Sequence, residues 1–197
     1  QAYESWAKIQ IKDPAPALAL LQVALSGTDE ALIRRRVDAL KGLDAKDVNW
    51  RLARIQELLR MPLEDQQNTE KLTARLNEAL SFANTIIESG TSQAQGLVLR
   101  AAVQERRGKV DEATADLRRA IDLEGGTPAL RPLCQLLARV GKFAEIEQLR
   151  AKLQSLPTNI DQMVAEIAVQ TGKADVAKTI ADRIMEANPE DLSNQIW

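Results

Sequence analysis

Three Gly-Lys dipeptides, Gly108-Lys109, Gly141-Lys142 and Gly172-Lys173, come nearest to chemistry in this sequence, because such a pair closes the loop that cradles nucleotide phosphates. That loop also needs a glycine five residues before the Gly-Lys glycine, and Ser or Thr after the lysine. Here Val103, Leu136 and Ile167 hold the first place and Val110, Phe143 and Ala174 the second, so the nucleotide reading fails. The dipeptides read instead as tight turns between helices.

Other reactive groups are sparse. With His 0 and Cys134 as the single cysteine, a zinc site would have to be built almost wholly from carboxylates, and a disulfide within the chain is impossible. Cys134 stands between Leu133 and Leu136 on an apolar run, where a thiol behaves as a small buried hydrophobe. The acidic stretches "DEATAD" and "PEDL" lie near helix starts and complement the helix dipole. Arg34, Arg35 and Arg36 cover about 200° of a helix, so part of the triple must approach the core. The rest is solvated or forms a docking patch for an acidic partner. No clustered polar residues break the helical pattern as a catalytic site would. No catalytic residue, metal ligand or cofactor is expected, and the chain reads as a non-enzyme.

Composition narrows the class. Apolar residues make up 45% and charged residues 27%, enough for a sizeable core, while aromatics are 3% and no Val/Ile/Thr-rich alternation marks strands. A net charge of -2 argues against a general polyanion binder, and no nucleic acid partner is expected. No apolar run approaches the roughly 18 residues of a membrane span. The closest, "APALALLQVAL" at 15–25, suits a buried helix. The start at Gln1 and the stop at Trp197, just after a new helix start, read as a piece of a larger chain, with compartment and flanking domains left open.

The elements that position these residues follow a period. The Gly-Lys turns are 33 and 31 residues apart, each between two apolar-periodic helices. In the first unit Ser92 and Gln95 form a capping-box pattern ahead of Leu97, Val98, Ala101 and Ala102, and the second helix carries Ala113, Leu117, Ala120 and Ile121. In the second, Thr127-Pro128 opens a stripe of Leu130, Leu133, Cys134, Leu137 and Val140, and its partner shows Phe143, Ile146, Leu149 and Leu153 before Pro157. The third runs from Thr158 and Asp161 through Met163, Val164, Ile167 and Ala168, then Ala177, Ile180, Ala181 and Ile184, to Asn188-Pro189. A helix with so narrow a stripe cannot bury itself. Stacked pairs of them bury a continuous core, and small residues let the axes approach.

These residues resemble the tetratricopeptide repeat. With Gly108 on the turn glycine of that family, Leu97 takes the usual tryptophan position. Ala101, Ala113 and Ala120 then take the small positions, and Leu117 the intervening aromatic. The third unit matches through Ala165, Ala177, Ala181, Ile184 and Pro189. The middle unit departs, with Cys134 at a small position, Ile146 in place of alanine and Arg150 in place of an aromatic. The resemblance is specific over about 92–189 and implies an all-α, right-handed α-solenoid of roughly five antiparallel helix pairs. Upstream, "VNWRLARIQELL" at 48–59 has Trp50 in the signature position, and 69–90 carries Ala79, Ala83 and Ile87, joined by an overlong connector from Met61-Pro62 to Asn68. A single helical-repeat domain is expected: divergent helices at 1–46 (Tyr3, Trp6 and Ile9 in a first cap or half-unit), a degenerate repeat at 47–90, repeats at 92–125, 127–157 and 158–189, and a truncated helix at 190–197.

By the placement of the family, leading helices line the concave side. Its candidate partner-binding residues are Gln95, Glu105 and Arg106 with Val98 and Ala102, then Arg131, Gln135 and Arg139 with Ala138, then Asn159, Gln162, Glu166 and Gln170 with Val169. Side-chain amides and arginines suit an extended peptide or a partner helix. Val98, Ala102, Pro132 and Gln135 do not fit a clamp for a peptide carboxyl end. The expected function is a protein-protein interaction scaffold within a larger chain. The alternatives are an assembly subunit of a bacterial envelope or secretion complex, or a regulatory segment beside a DNA-binding or catalytic domain.

Overall fold

A computed structural model describes residues 13–60, 68–124, 127–152 and 160–187. These form ten α-helices and no strand: α1 (Ala15–Ser26), α2 (Glu30–Leu43), α3 (Val48–Leu59), α4 (Thr69–Glu88), α5 (Gln93–Arg106), α6 (Val110–Glu124), α7 (Thr127–Arg139), α8 (Phe143–Lys152), α9 (Ile160–Gln170) and α10 (Ala174–Ala187). The chain is all-α, with antiparallel helix pairs in tetratricopeptide-like order. Expectations for Tyr3, Trp6 and Ile9, for the 61–67 connector, for Leu153, Pro157, Thr158 and Asn159, and for Asn188-Pro189 and 190–197 lie outside the described residues. The chain divides into two compact units, 1–116 and 117–197.

The Gly-Lys dipeptides are the turns that the spacing predicts. Gly108, Gly141 and Gly172 take φ of 74°, 78° and 72°, a left-handed conformation in which a Cβ would crowd the following carbonyl. The amide of Gly108 donates to the Glu105 carbonyl at 2.9 Å and that of Lys109 to Gln104 at 2.8 Å. Gly141 and Lys142 repeat the pair onto Ala138 and Leu137, as do Gly172 and Lys173 onto Val169 and Ala168. Each turn thus satisfies the last carbonyls of one helix while reversing the chain. The Lys109 and Lys173 carbonyls then accept the first amide bonds of α6 and α10, from Ala113 at 3.1 Å and Ala177 at 3.0 Å.

Capping differs from the sequence reading at α5. Ser92 occupies the N-cap position, but at φ 56° its side chain makes no cap bond, so no capping box forms with Gln95. Gln93 Nε2 instead donates to the Ile87 carbonyl at 3.0 Å, stitching the short turn from its other side.

In unit 1–116, α1, α2 and α3 bury Leu21, Ala24, Ile33, Val37, Leu40, Trp50 and Ala53. Trp50 is held by its surroundings: its indole N–H donates to the Ala45 carbonyl at 2.9 Å, Phe82 meets it edge-on at 5.4 Å, and Lys41 and Arg51 lie 5.0 and 4.9 Å from the ring centroid. A second cluster joins Ile55 and Leu58 of α3 to Leu76, Ala79, Ala83 and Ile86 of α4 and Val103 of α5. The close crossing of α4 and α5 depends on Gly96, where an added Cβ would stand 2.9 Å from Ile86 Cγ2 and 3.0 Å from Ile87 Cγ1.

Glu57, 1% exposed, is the buried charge among these apolar groups. Arg54 Nη1 reaches its two oxygens at 2.8 and 2.7 Å and Arg34 Nε comes to 3.0 Å; of the arginine triple, Arg34 is exposed yet reaches this buried acid, and Arg36 is the half-buried member. Burial works against the Arg54 charge, yet its hydrogen bonds to Glu57 and Glu78 outweigh it and hold its pKa above the ordinary value.

Unit 117–197 packs α7 with α8 and α9, and α9 with α10. Leu130, Leu133, Cys134 and Leu137 of α7 are buried as the stripe predicts, but Val140 is 42% exposed. It follows the last residue of α7, where the chain has begun to turn. Arg150, at the position where the family carries an aromatic, is half-buried and lies 2.9 Å from Glu147 and 3.6 Å from Asp161. Arg183 of α10 meets the same two acids at 3.3 Å, so a four-charge cluster stands where a ring would pack.

Two outcomes test this account. Gly108→Ala is expected to lower unfolding stability by about 1 kcal/mol, the cost of a left-handed alanine. Gly42→Ala, inside α2 with open space around the new methyl, is expected to raise it by about 0.5 kcal/mol. Urea titrations of both variants read the two signs. Burial also raises the Cys134 thiol from its ordinary 9.0 to about 11, so iodoacetamide at neutral pH should label it only after unfolding. The neutral thiol then favours the fold below pH 9, a contribution lost as pH rises toward 11. Melting across that window should fall more for the wild type than for Cys134→Ala.

Candidate functional site

In unit 1–116 the candidate residues lie on α5. Gln95 and Arg106 are exposed, while Glu105, Val98 and Ala102 are half-buried. Between them Arg100 is committed to structure. Its Nε and Nη2 donate to the two Asp116 oxygens at 2.8 and 2.6 Å, and its Nη1 donates to Asn84 Oδ1 at 2.9 Å. The hydrogen bonds to Asp116 raise its pKa above the ordinary arginine value, and burial opposes them only in part. This fork ties α4, α5 and α6 together and leaves Gln95 and Arg106 at opposite ends of the helix.

Unit 117–197 holds a better-formed site. Gln135 and Arg139 of α7 and Gln170 of α9 border one open cleft of about 710 Å³. One turn separates Gln135 from Arg139, and a 3.6-residue repeat brings such residues to the same face. Ala138 and Ile167, 2% and 1% exposed, supply an apolar floor. Ala138, expected among the groove side chains, is instead the packed surface beneath them. Arg139 Nε donates to the Gln135 carbonyl at 3.3 Å, drawing its head back along the last turn of α7.

Four further candidates bear on the same two helices. Arg131 of α7 donates to Glu166 of α9 at 3.1 Å, with both groups partly solvated. An exposed pair of this kind contributes well under 1 kcal/mol, so packing and not this pair sets the spacing of the two helices. Gln162 is half-buried on α9, Val169 is 62% exposed near its end, and Asn159 lies outside the described residues.

Besides Ile167 in the floor and Gly141 at the turn, further lining residues were not groove candidates in the sequence reading. Val140, Thr171 and Lys173 border the cleft at the Gly-Lys turns. The available signal was the turn itself: a lysine directly after a left-handed glycine emerges beside the end of the leading helix, where the groove begins.

Among the described residues no group of three acids, cysteines or histidines could hold a metal ion, and no helix is long and apolar enough to cross a membrane. The cleft lining offers amides, two cations and a hydroxyl over an apolar floor, a set that can bond peptide groups and carboxylates.

No protein-family model and no curated protein matches the sequence. Solved structures do match by shape. PilW, described as a widely conserved type IV pilus biogenesis factor, superposes with a TM-score of 0.61 at 13% identity, over 98% of this chain and 86% of that one. A thermophilic TPR protein of Thermus thermophilus gives 0.59 at 16% identity, over 93% and 96% of the two chains. YrrB, described as a TPR protein with an unusual peptide-binding site, gives 0.51 at 14% identity, over 99% and 96%. The chain therefore has the tetratricopeptide-like helical-repeat fold.

Proposed function

We propose that the chain is a non-catalytic scaffold that holds a segment of a partner protein against its leading helices, with Gln135, Arg139 and Gln170 as its central contacts. The observation that carries this is the cleft between α7 and α9, where residues left off the core stripe converge over the packed floor of Ala138 and Ile167. Amides next to an apolar floor suit a polypeptide, whose backbone needs partners and whose side chains need a surface to cover. Arg131, Gln162 and Glu166 of the same unit would extend the contact, while Gln95, Glu105 and Arg106 on α5 are proposed as partner contacts of unit 1–116 by itself. The fold shared with YrrB, whose description names a peptide-binding site, supports this use of the architecture.

A second function, a subunit of an assembly complex, is favoured by the shape match to a pilus biogenesis factor. It calls for association through surfaces other than the cleft, and light scattering would then show the chain assembling with itself as concentration rises.

The test places a photoreactive amino acid at position 170, bordering the cleft, or at 179, on the exposed side of α10. Each variant is illuminated in native lysate. Crosslinks to a partner from 170 and not from 179 are the expected result. Crosslinks confined to 179 would move the docking face to the trailing helices and end the cleft proposal.

A further inference from the structure

Arg131 of α7 and Glu166 of α9 meet at 3.1 Å across the groove between the two helices. Both helices bring their last turns to the same cleft, so they run in the same direction, and one turn further along each stand Gln135 and Gln170. A glutamine is shorter than an arginine, so at a spacing that an Arg–Glu pair spans, the two amides fall short of each other. Neither side-chain amide has a hydrogen-bond partner among the described residues. The same cleft is floored by Ala138 and Ile167, 2% and 1% exposed, with Val140 42% exposed at the rim. Charge gives this surface no sign that an ionic occupant could use. The last turns of α7 and α9 present the negative ends of two helix dipoles, which oppose an acid, while Lys173 and Arg139 oppose a base.

We infer that the cleft takes an uncharged, extended segment of a partner protein, whose main chain completes the open rung between Gln135 and Gln170. The inference rests on the scaffold function above and names the groups by which the occupant is recognised. Each glutamine amide offers both donors and an acceptor. An extended chain leaves N–H and C=O groups free to bond them, whereas a helix has already paired its own. A peptide N–H of the segment donates to the Oε1 of one glutamine, and a peptide carbonyl accepts from the Nε2 of the other. An aliphatic side chain of the segment covers Ala138 and Ile167 and meets Val140. Recognition through the main chain tolerates changes in the neighbouring side chains of the segment as long as they carry no charge.

The experiment uses the full chain and three pools of fluorescein-labelled decapeptides that share their Leu, Ile and Val positions. The remaining positions are Ser, Thr, Asn and Gln in the first pool, Asp and Glu in the second, and Lys and Arg in the third. Anisotropy at about 50 mM salt should show the uncharged pool bound at least about threefold more tightly than either charged pool. N-methylation of alternate residues in the uncharged pool removes peptide donors and should weaken binding about tenfold. Gln135→Leu/Gln170→Leu should weaken the unmethylated pool by a similar factor, with the helical circular dichroism unchanged. Equal or tighter binding of a charged pool would overturn the uncharged occupant and keep the scaffold. Affinity of the uncharged pool that survives N-methylation or the double substitution would overturn the main-chain rung. Binding of no pool would overturn both the inference and the scaffold function at this cleft.

Discussion

A helix that carries one narrow apolar stripe has nowhere of its own to put it, and everything else in this protein follows from that constraint. Leu97 and Ala101 of α5, Ala113 and Leu117 of α6, and Leu133 and Leu137 of α7 are all at most 3% exposed. Each fully buried Leu contributes about 1.5–3 kcal/mol over leaving it in water, but only when a neighbouring helix is brought alongside. Reversal within two or three residues is therefore required. The left-handed glycines of the Gly-Lys turns provide it while satisfying the carbonyls that the reversal would strand.

Small residues set how close the helices come. Ala79, Ala83, Ala101 and Ala113 at 0–1% exposure, and Gly96 against Ile86 and Ile87, let helix axes approach where larger side chains would hold them apart. The same packing explains why the buried charges inside the stack are paired. Glu57 sits between Arg34 and Arg54, and Asp116 takes both arms of Arg100. Breaking a buried pair of this type costs several kcal/mol because an uncompensated charge stays behind. These forks fix the register of neighbouring helices more than they add stability.

The surface that remains follows from the core. Once the stripe faces inward, the last turn of each leading helix exposes its off-stripe residues beside a turn lysine. At α7 and α9 this places amides and cations over the apolar floor of Ala138 and Ile167. The groove is a by-product of packing, and its chemistry resides in residues that packing leaves free to vary.

Period, turn residues and stripes are local properties, and the sequence alone determined them. The three Gly-Lys turns, the α3 boundaries at 48 and 59, Trp50 in the core and the buried Cys134 all follow from spacing and residue type. The choice among long polar side chains was left to tertiary structure. Nothing in the sequence said that Arg34 rather than Arg35 would reach Glu57, 23 residues away, or that Arg150 would share Glu147 and Asp161 with Arg183. Ser92 shows the same limit, since a cap pattern of the right residues failed once the turn forced a positive φ. Side chains with several rotatable bonds take whichever partner the packed backbone brings within about 3 Å, and that distance exists only after the helices have stacked.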